Sequence, residues 1–201
     1  MVASAMVGDA VSMTGPQLMP VMVSFQFFLL ALGLLLARLV GIAPINDCHW
    51  DISSICMGLV AGVSLAALAI RVSALPWLRD LERLLDQQVA PIFQGLPWQS
   101  LIAIAALAGA SEEVLFRGFL QRWLAEGCGL GTALAIVVAS LLFGAVHALS
   151  VAYFVFAFVL GAVFGWIFVL TDNLAVAIVM HAAYDAVVLL LLSRHPQDVA
   201  D

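Results

Sequence analysis

The chain has 201 residues, 65% of them hydrophobic and only 10% charged, and a mean hydropathy of +1.15. A soluble domain carries about 25% charge, so a soluble enzyme, a nucleic-acid binder and a disordered chain are excluded together. The net charge of -6, with Arg as the only basic residue type apart from four His, leaves no electrostatic footprint for DNA or RNA.

Apolar runs of about 20 residues, each long enough to cross a hydrocarbon core as a helix, recur along the chain. They are continuous rather than alternating, which excludes a transmembrane β-barrel. In chain order the predicted spans are residues 21–43, 52–75, 98–124, 130–148, 151–170 and 174–193. The expectation is an all-α, polytopic membrane bundle of about six helices. Residues 1–20 lack the basic start of a cleaved signal peptide, so the first run is expected to stay as an anchor. Between the second and third spans, Trp77, Leu78, Leu81, Leu84 and Leu85 recur at helical spacing opposite Arg79, Asp80, Glu82, Arg83, Asp86 and Gln87. That pattern predicts an amphipathic helix at the membrane surface, either a connector or a substrate-guiding element, ended by Pro91, Gly95 and Pro97. Only Ser150 breaks the apolar run between the fourth and fifth spans, so two helices or one broken helix fit there. The chain divides into residues 1–97, a helical core at 98–193 and a tail at 194–201. Arg71, Arg79, Arg83 and Arg194 on one side, against Arg38 and Arg122 on the other, put both termini in the cytoplasm by the positive-inside rule.

Charges inside spans cost at least about 2.5–3.5 kcal/mol each on insertion scales and normally mark function. Three strings carry them: Ser111-Glu112-Glu113 through Arg117, Phe143 through His147, and His181 through Asp185. Nothing comparable stands out in the first, second or fifth span. Glu113 and Arg117 are four apart with the acid first, the better order for an ion pair along one helix face. Glu112 is then the carboxylate without a partner. His181 and Asp185 also share a face. Glu112 lies 17 residues before Gly129 and His147 lies 18 after it, which brings both to one depth at about 1.5 Å per residue. His181 and Asp185 lie only 9 and 13 residues beyond Asp172, and align only if the third and fourth helices project further from the membrane. His49 and His195 fall in loop and tail. Gly161 and Gly165 form a G-x-x-x-G close-packing face, and Cys48, Cys56 and Cys128 show neither zinc nor disulfide spacing.

A desolvated carboxylate is a stronger base toward a bound water. With an imidazole beside it and donors near the developing oxyanion, it has the parts of a peptide-bond hydrolase. The same Glu112, His147, His181 and Asp185 are also candidate ligands for a divalent metal such as zinc.

The three strings together resemble the signature of the CPBP family, the CAAX-protease and bacteriocin-processing intramembrane proteases: E-E-x-x-x-R, F-x-x-x-H and H-x-x-x-N. The resemblance spans residues 98–193. It implies an intramembrane endopeptidase acting near the end of a membrane-associated protein or peptide, expected in a bacterial or archaeal cytoplasmic membrane. It further implies Glu112 as general base, His147 as its partner, and His181 with residue 185 facing the carbonyl oxygen. Glu113, Arg117 and Phe143 would be supporting residues. No cofactor is favoured, and the family has been described both as metalloproteases and as glutamate proteases. Asp185 stands where the pattern has Asn, so it is protonated, orients His181 or ligates a metal. A proton-coupled transporter or a catalytically silent binding or immunity protein would use the same buried groups differently.

Overall fold

The computed structural model describes residues 15–73, 75 and 78–194; His195, Trp77 and the start of the chain lie outside them. Among the described residues there are helices and turns but no strands. The long helices are α1 (Gly15–Leu39), α2 (Ile52–Ser73), α4 (Trp98–Gly127), α6 (Val151–Thr171) and α7 (Leu174–Leu192), each long and apolar enough to cross a membrane. Between them lie a surface helix α3 (79–93) and the shorter apolar helix α5 (Gly131–Val146). The fourth expected span forms an apolar helix, but one shorter than the five that are long enough to cross a membrane. Its 16 residues cover about 24 Å at 1.5 Å each, and it ends because His147–Ser150 form a turn. Ser150 accepts from Tyr153 N–H and caps α6, so the chain makes two helices there rather than one.

Helix α7 is the centre. Leu174, Ala175, Val176, Ala177, Met180 and His181 are all buried, because α2 and α4 approach it closely. A Cβ on Gly62 of α2 would lie 2.3 Å from the Met180 carbonyl oxygen, and one on Gly109 of α4 would lie 2.8 Å from the Ile178 carbonyl oxygen. Only glycine permits those backbone contacts, and the second one brings the acidic segment of α4 against His181. Helices α5 and α6 pack as a hairpin, with Gly161 against Ser140 and Phe143 and Gly165 against Gln121 and Ile136. The G-x-x-x-G is thus a packing face, as its spacing suggests.

Beyond Glu113, α4 widens into i→i+5 turns over Val114–Gln121 and Trp123–Gly127. Gln121 Nε2 donates to the Gly165 carbonyl at 3.2 Å, and the Arg122 guanidinium lies over the Phe168 ring. The α6–α7 turn at Asp172 therefore sits beside residues 121–126 of α4, and the α4–α5 turn projects past it. Counted from there, Glu112 and His181 are equally deep, which closes the gap in the sequence register.

Surface helix α3 forms as expected, with Leu78 and Leu81 buried and Asp80, Glu82 and Arg83 exposed. One expectation fails: Pro91 does not end it. The wide turn Leu85–Val89 precedes the proline, avoiding the clash with the i−4 carbonyl that a proline causes in a regular helix. Gly95, at φ 76°, and Pro97 end the helix instead.

The end of the bundle opposite α3 is tied by Asn173. Its Oδ1 accepts from His49 N–H and from Ala175 N–H, both at 3.0 Å. Its Nδ2 donates to the His49 carbonyl at 3.0 Å and to Ser54 Oγ at 2.8 Å. His49 contributes only backbone here. Next to it Asp51 caps α2, accepting from Ser53 Oγ, Ser54 N–H and Ser54 Oγ, and those bonds hold its carboxyl down at about 2. The cap is thus ionised at any ordinary pH. Asn173→Ala removes a helix cap and leaves buried partners unmatched, so stability should fall by about 2–3 kcal/mol. Thermal unfolding in detergent checks this, and an unchanged midpoint would show that the clasp is redundant.

Candidate active site

Glu112 and Glu113 follow one another on α4 and so point about 100° apart around its axis. Glu113 is fully buried and turns toward Arg117, whose Nη1 donates to Glu113 Oε1 at 2.8 Å. Arg117 Nη2 donates to the Gly161 carbonyl at 2.6 Å. The guanidinium lies 4.9 Å from the centre of the Phe143 ring and 5.5 Å from that of Phe164. An aromatic box and a backbone acceptor thus enclose a cation that is 1% exposed. The pair read from the i,i+4 spacing is present, even though the wide turns begin at Val114.

Glu112 turns instead into a cavity of about 380 Å³. Its Oε2 lies 3.6 Å from His147 Nε2 and 4.0 Å from His181 Nε2. Both imidazoles are held by their other nitrogen. His147 Nδ1 is 2.8 Å from the Phe143 carbonyl oxygen, an acceptor only, so Nδ1 carries the hydrogen. His181 Nδ1 is 2.8 Å from Glu113 Oε1, and the Arg117-paired carboxylate likewise accepts. Each ring therefore presents Nε2 to Glu112. Asp185 Oδ2 lies 3.5 Å from His181 Nε2, on the cavity side. Phe143 lies tilted against His147 at 4.5 Å and meets His181 edge-on at 6.0 Å, and Phe164 lies parallel to His181 at 4.6 Å. Rotation of either imidazole would break a hydrogen bond and a ring contact together.

Glu112, Glu113, Arg117, Phe143, His147, His181 and Asp185 are thus gathered into one site from α4, α5 with the turn after it, and α7. The sequence reading gave no role to three others. Phe164 of α6 stacks on His181. Ser111 and Gln26 connect α4 to α1: Ser111 Oγ donates to Gln26 Oε1 at 2.5 Å, and Gln26 Nε2 reaches Glu112 Oε1 at 3.5 Å. The first span therefore does bring a polar group to the site. Its only signal was a single amide in an apolar run. Helix α3 also lines the cavity, through Leu85, Val89, Ile92 and Phe93.

The donor types suit zinc, two imidazoles and carboxylates. Among the described residues, however, no three such side chains converge in metal-holding geometry. His181 Nδ1 and Glu113 are already committed to each other.

A bundle of apolar membrane-crossing helices that buries Glu, His and Arg at mid-bundle is an integral membrane protein with the parts of a hydrolase inside its spans. Residues 94–187 match the family described as type II CAAX prenyl endopeptidase Rce1-like. That stretch is therefore similar to that family of membrane proteases, in agreement with the resemblance carried by the three motifs. Comparison with curated proteins and with solved structures returned no match.

Proposed function

We propose that this protein is an intramembrane endopeptidase that hydrolyses a peptide bond near the carboxy terminus of a membrane-associated substrate, with water activated by Glu112 and His147. The observation that carries the reading is the position of Glu112 Oε2 between two Nε2 atoms whose rings are each fixed through Nδ1. A water held by Glu112 and His147 gives its proton to Glu112 while its oxygen attacks the carbonyl carbon. The carbonyl oxygen then carries the charge and faces His181, which as an imidazolium donates from Nε2 while Nδ1 stays on Glu113; an amide at residue 185 would add a second donor. Collapse of the tetrahedral species breaks the C–N bond, and the proton held by Glu112 passes to the leaving amine. The cavity walls around this site are mostly apolar, among them Phe25, Phe156 and Leu160, which favours apolar side chains next to the scissile bond. Helix α3, lying over the same cavity, is suited to guide the substrate in. The arginines near its start support the orientation with both termini in the cytoplasm.

Asp185 distinguishes this mechanism from a metal-dependent one. An ionised Asp accepts hydrogen bonds and repels an oxyanion; at 3.5 Å from His181 Nε2 it orients that imidazole. In a glutamate-type site Asp185→Asn supplies an amide donor, so activity should hold or rise. Exhaustive chelation should leave it unchanged. The assay uses the purified protein in liposomes with a library of quenched fluorogenic peptides, each carrying one apolar anchor. Stoichiometric zinc with chelator-sensitive, restorable activity would replace the glutamate mechanism by a metal one. Absence of cleavage across the library by a folded parent protein would sink the protease reading.

A further inference from the structure

Helix α1 lies outside the residues that match the protease family, yet it supplies one polar side chain to the cavity. Phe27 and Phe28 are more than half exposed, as lipid-facing residues are. Gln26 just before them is half-buried and turns inward. A carboxylate accepts only, so the Gln26 amide must present its nitrogen to Glu112 Oε1, 3.5 Å away. Its oxygen then faces Ser111, whose hydroxyl is 2.5 Å away and also reaches the Ala108 carbonyl at 3.3 Å. Ser111 is 1% exposed and directly precedes Glu112 in the chain. The serine thus fixes the direction of the amide, and the amide faces the carboxylate oxygen turned away from the two imidazoles.

We propose that Gln26 is a positioning residue of the active site: by donating to Oε1 it keeps Glu112 turned so that Oε2 faces His147 and His181. The inference rests on Glu112 being the base, and it extends the working site to a helix that the three motifs do not include. A Gln in a spanning helix can also act only as a link between helices. That role predicts a loss of stability without a selective effect on Glu112.

The test uses Gln26→Met, which keeps side-chain length and removes the amide. The probe is dicyclohexylcarbodiimide, an apolar reagent that modifies carboxyl groups in their protonated form. Labelling of the purified protein at pH 7 is read separately at Glu112 and Glu113 by peptide mass spectrometry. Losing a donor to the charged carboxylate should speed modification of Glu112 about threefold, with Glu113, still paired to Arg117, unchanged. Ser111→Ala, which frees the amide to rotate, should act in the same direction. It carries the comparison by itself if Gln26→Met does not fold. In the peptide assay kcat should fall while KM holds, as expected for a misaligned base. Equal labelling of Glu112 in parent and variants overturns the proposal, as does a parallel rise at Glu112 and Glu113, which would report a loosened bundle. A selective rise at Glu112 in a protein that cleaves no peptide would uphold the contact while removing Glu112 as a protease base.

Discussion

Glu112→Gln should lower peptide cleavage by at least about 10²-fold, the lower end of what a positioned general base contributes, while the protein inserts and unfolds like its parent. The two halves of that outcome come from different parts of the geometry. Glutamine keeps the shape of the side chain, and Glu112 makes no ion pair with an arginine, so no cation is stranded by the change. What is lost is the ability to take a proton from water beside His147 Nε2, 3.6 Å away. The fixed tautomer of His147, with Nδ1 held on the Phe143 carbonyl, leaves one nitrogen to help, and an imidazole alone does not replace the carboxylate. Turnover of Glu112→Gln near the parent rate, in protein shown to be folded, would remove Glu112 from the base role and shift attention to Asp185.

The motifs made the site legible because membrane insertion penalises charge so heavily. In a soluble chain Glu112, His147 and Asp185 would be three ordinary polar residues. In runs this apolar they are conspicuous, and the i,i+4 spacing of Glu113 with Arg117 and of His181 with Asp185 gave their pairings directly. Depth was harder to read. Counting at a constant rise per residue ignores the i→i+5 turns after Glu113 and the offset between the two helical turns, so that count puts His181 too shallow. Those features depend on packing against α6, where Gln121 and Arg117 reach backbone carbonyls of Gly165 and Gly161. No local pattern announces them. Gln26 escaped notice for a similar reason: one amide among phenylalanines has no partner in sequence, and its partner lies 86 positions away. Pro91 misled because a proline ordinarily stops a helix, whereas a wide turn ahead of it lets the helix continue. Gly109 was unremarkable in sequence, and only the approach of α7 shows why a larger residue would separate Glu112 and Glu113 from His181.

Arg117→Ala should cost about 3–5 kcal/mol of stability, the range for breaking a buried ion pair from one side, and activity should fall with it. Arg117 neutralises Glu113, donates to the Gly161 carbonyl and fills the space between Phe143 and Phe164. Alanine removes all three contacts and leaves Glu113 as a charge enclosed in protein, bonded only to His181. If that stranded charge is the main cost, Glu113→Gln in an Arg117→Met background should recover much of the stability, because neutral side chains of similar volume remove the charge without leaving a hole. The glutamine oxygen can still accept from His181 Nδ1, so the double variant should also retain more activity than Arg117→Ala. Unfolding of the parent, the two Arg117 variants and the double variant in one detergent separates these contributions. A double variant no more stable than Arg117→Met would mean that the hydrogen bond to Gly161 and the aromatic packing, rather than charge balance, hold α4 and α6 together. Arg117→Ala as stable as the parent but inactive would instead make Arg117 a participant in the chemistry.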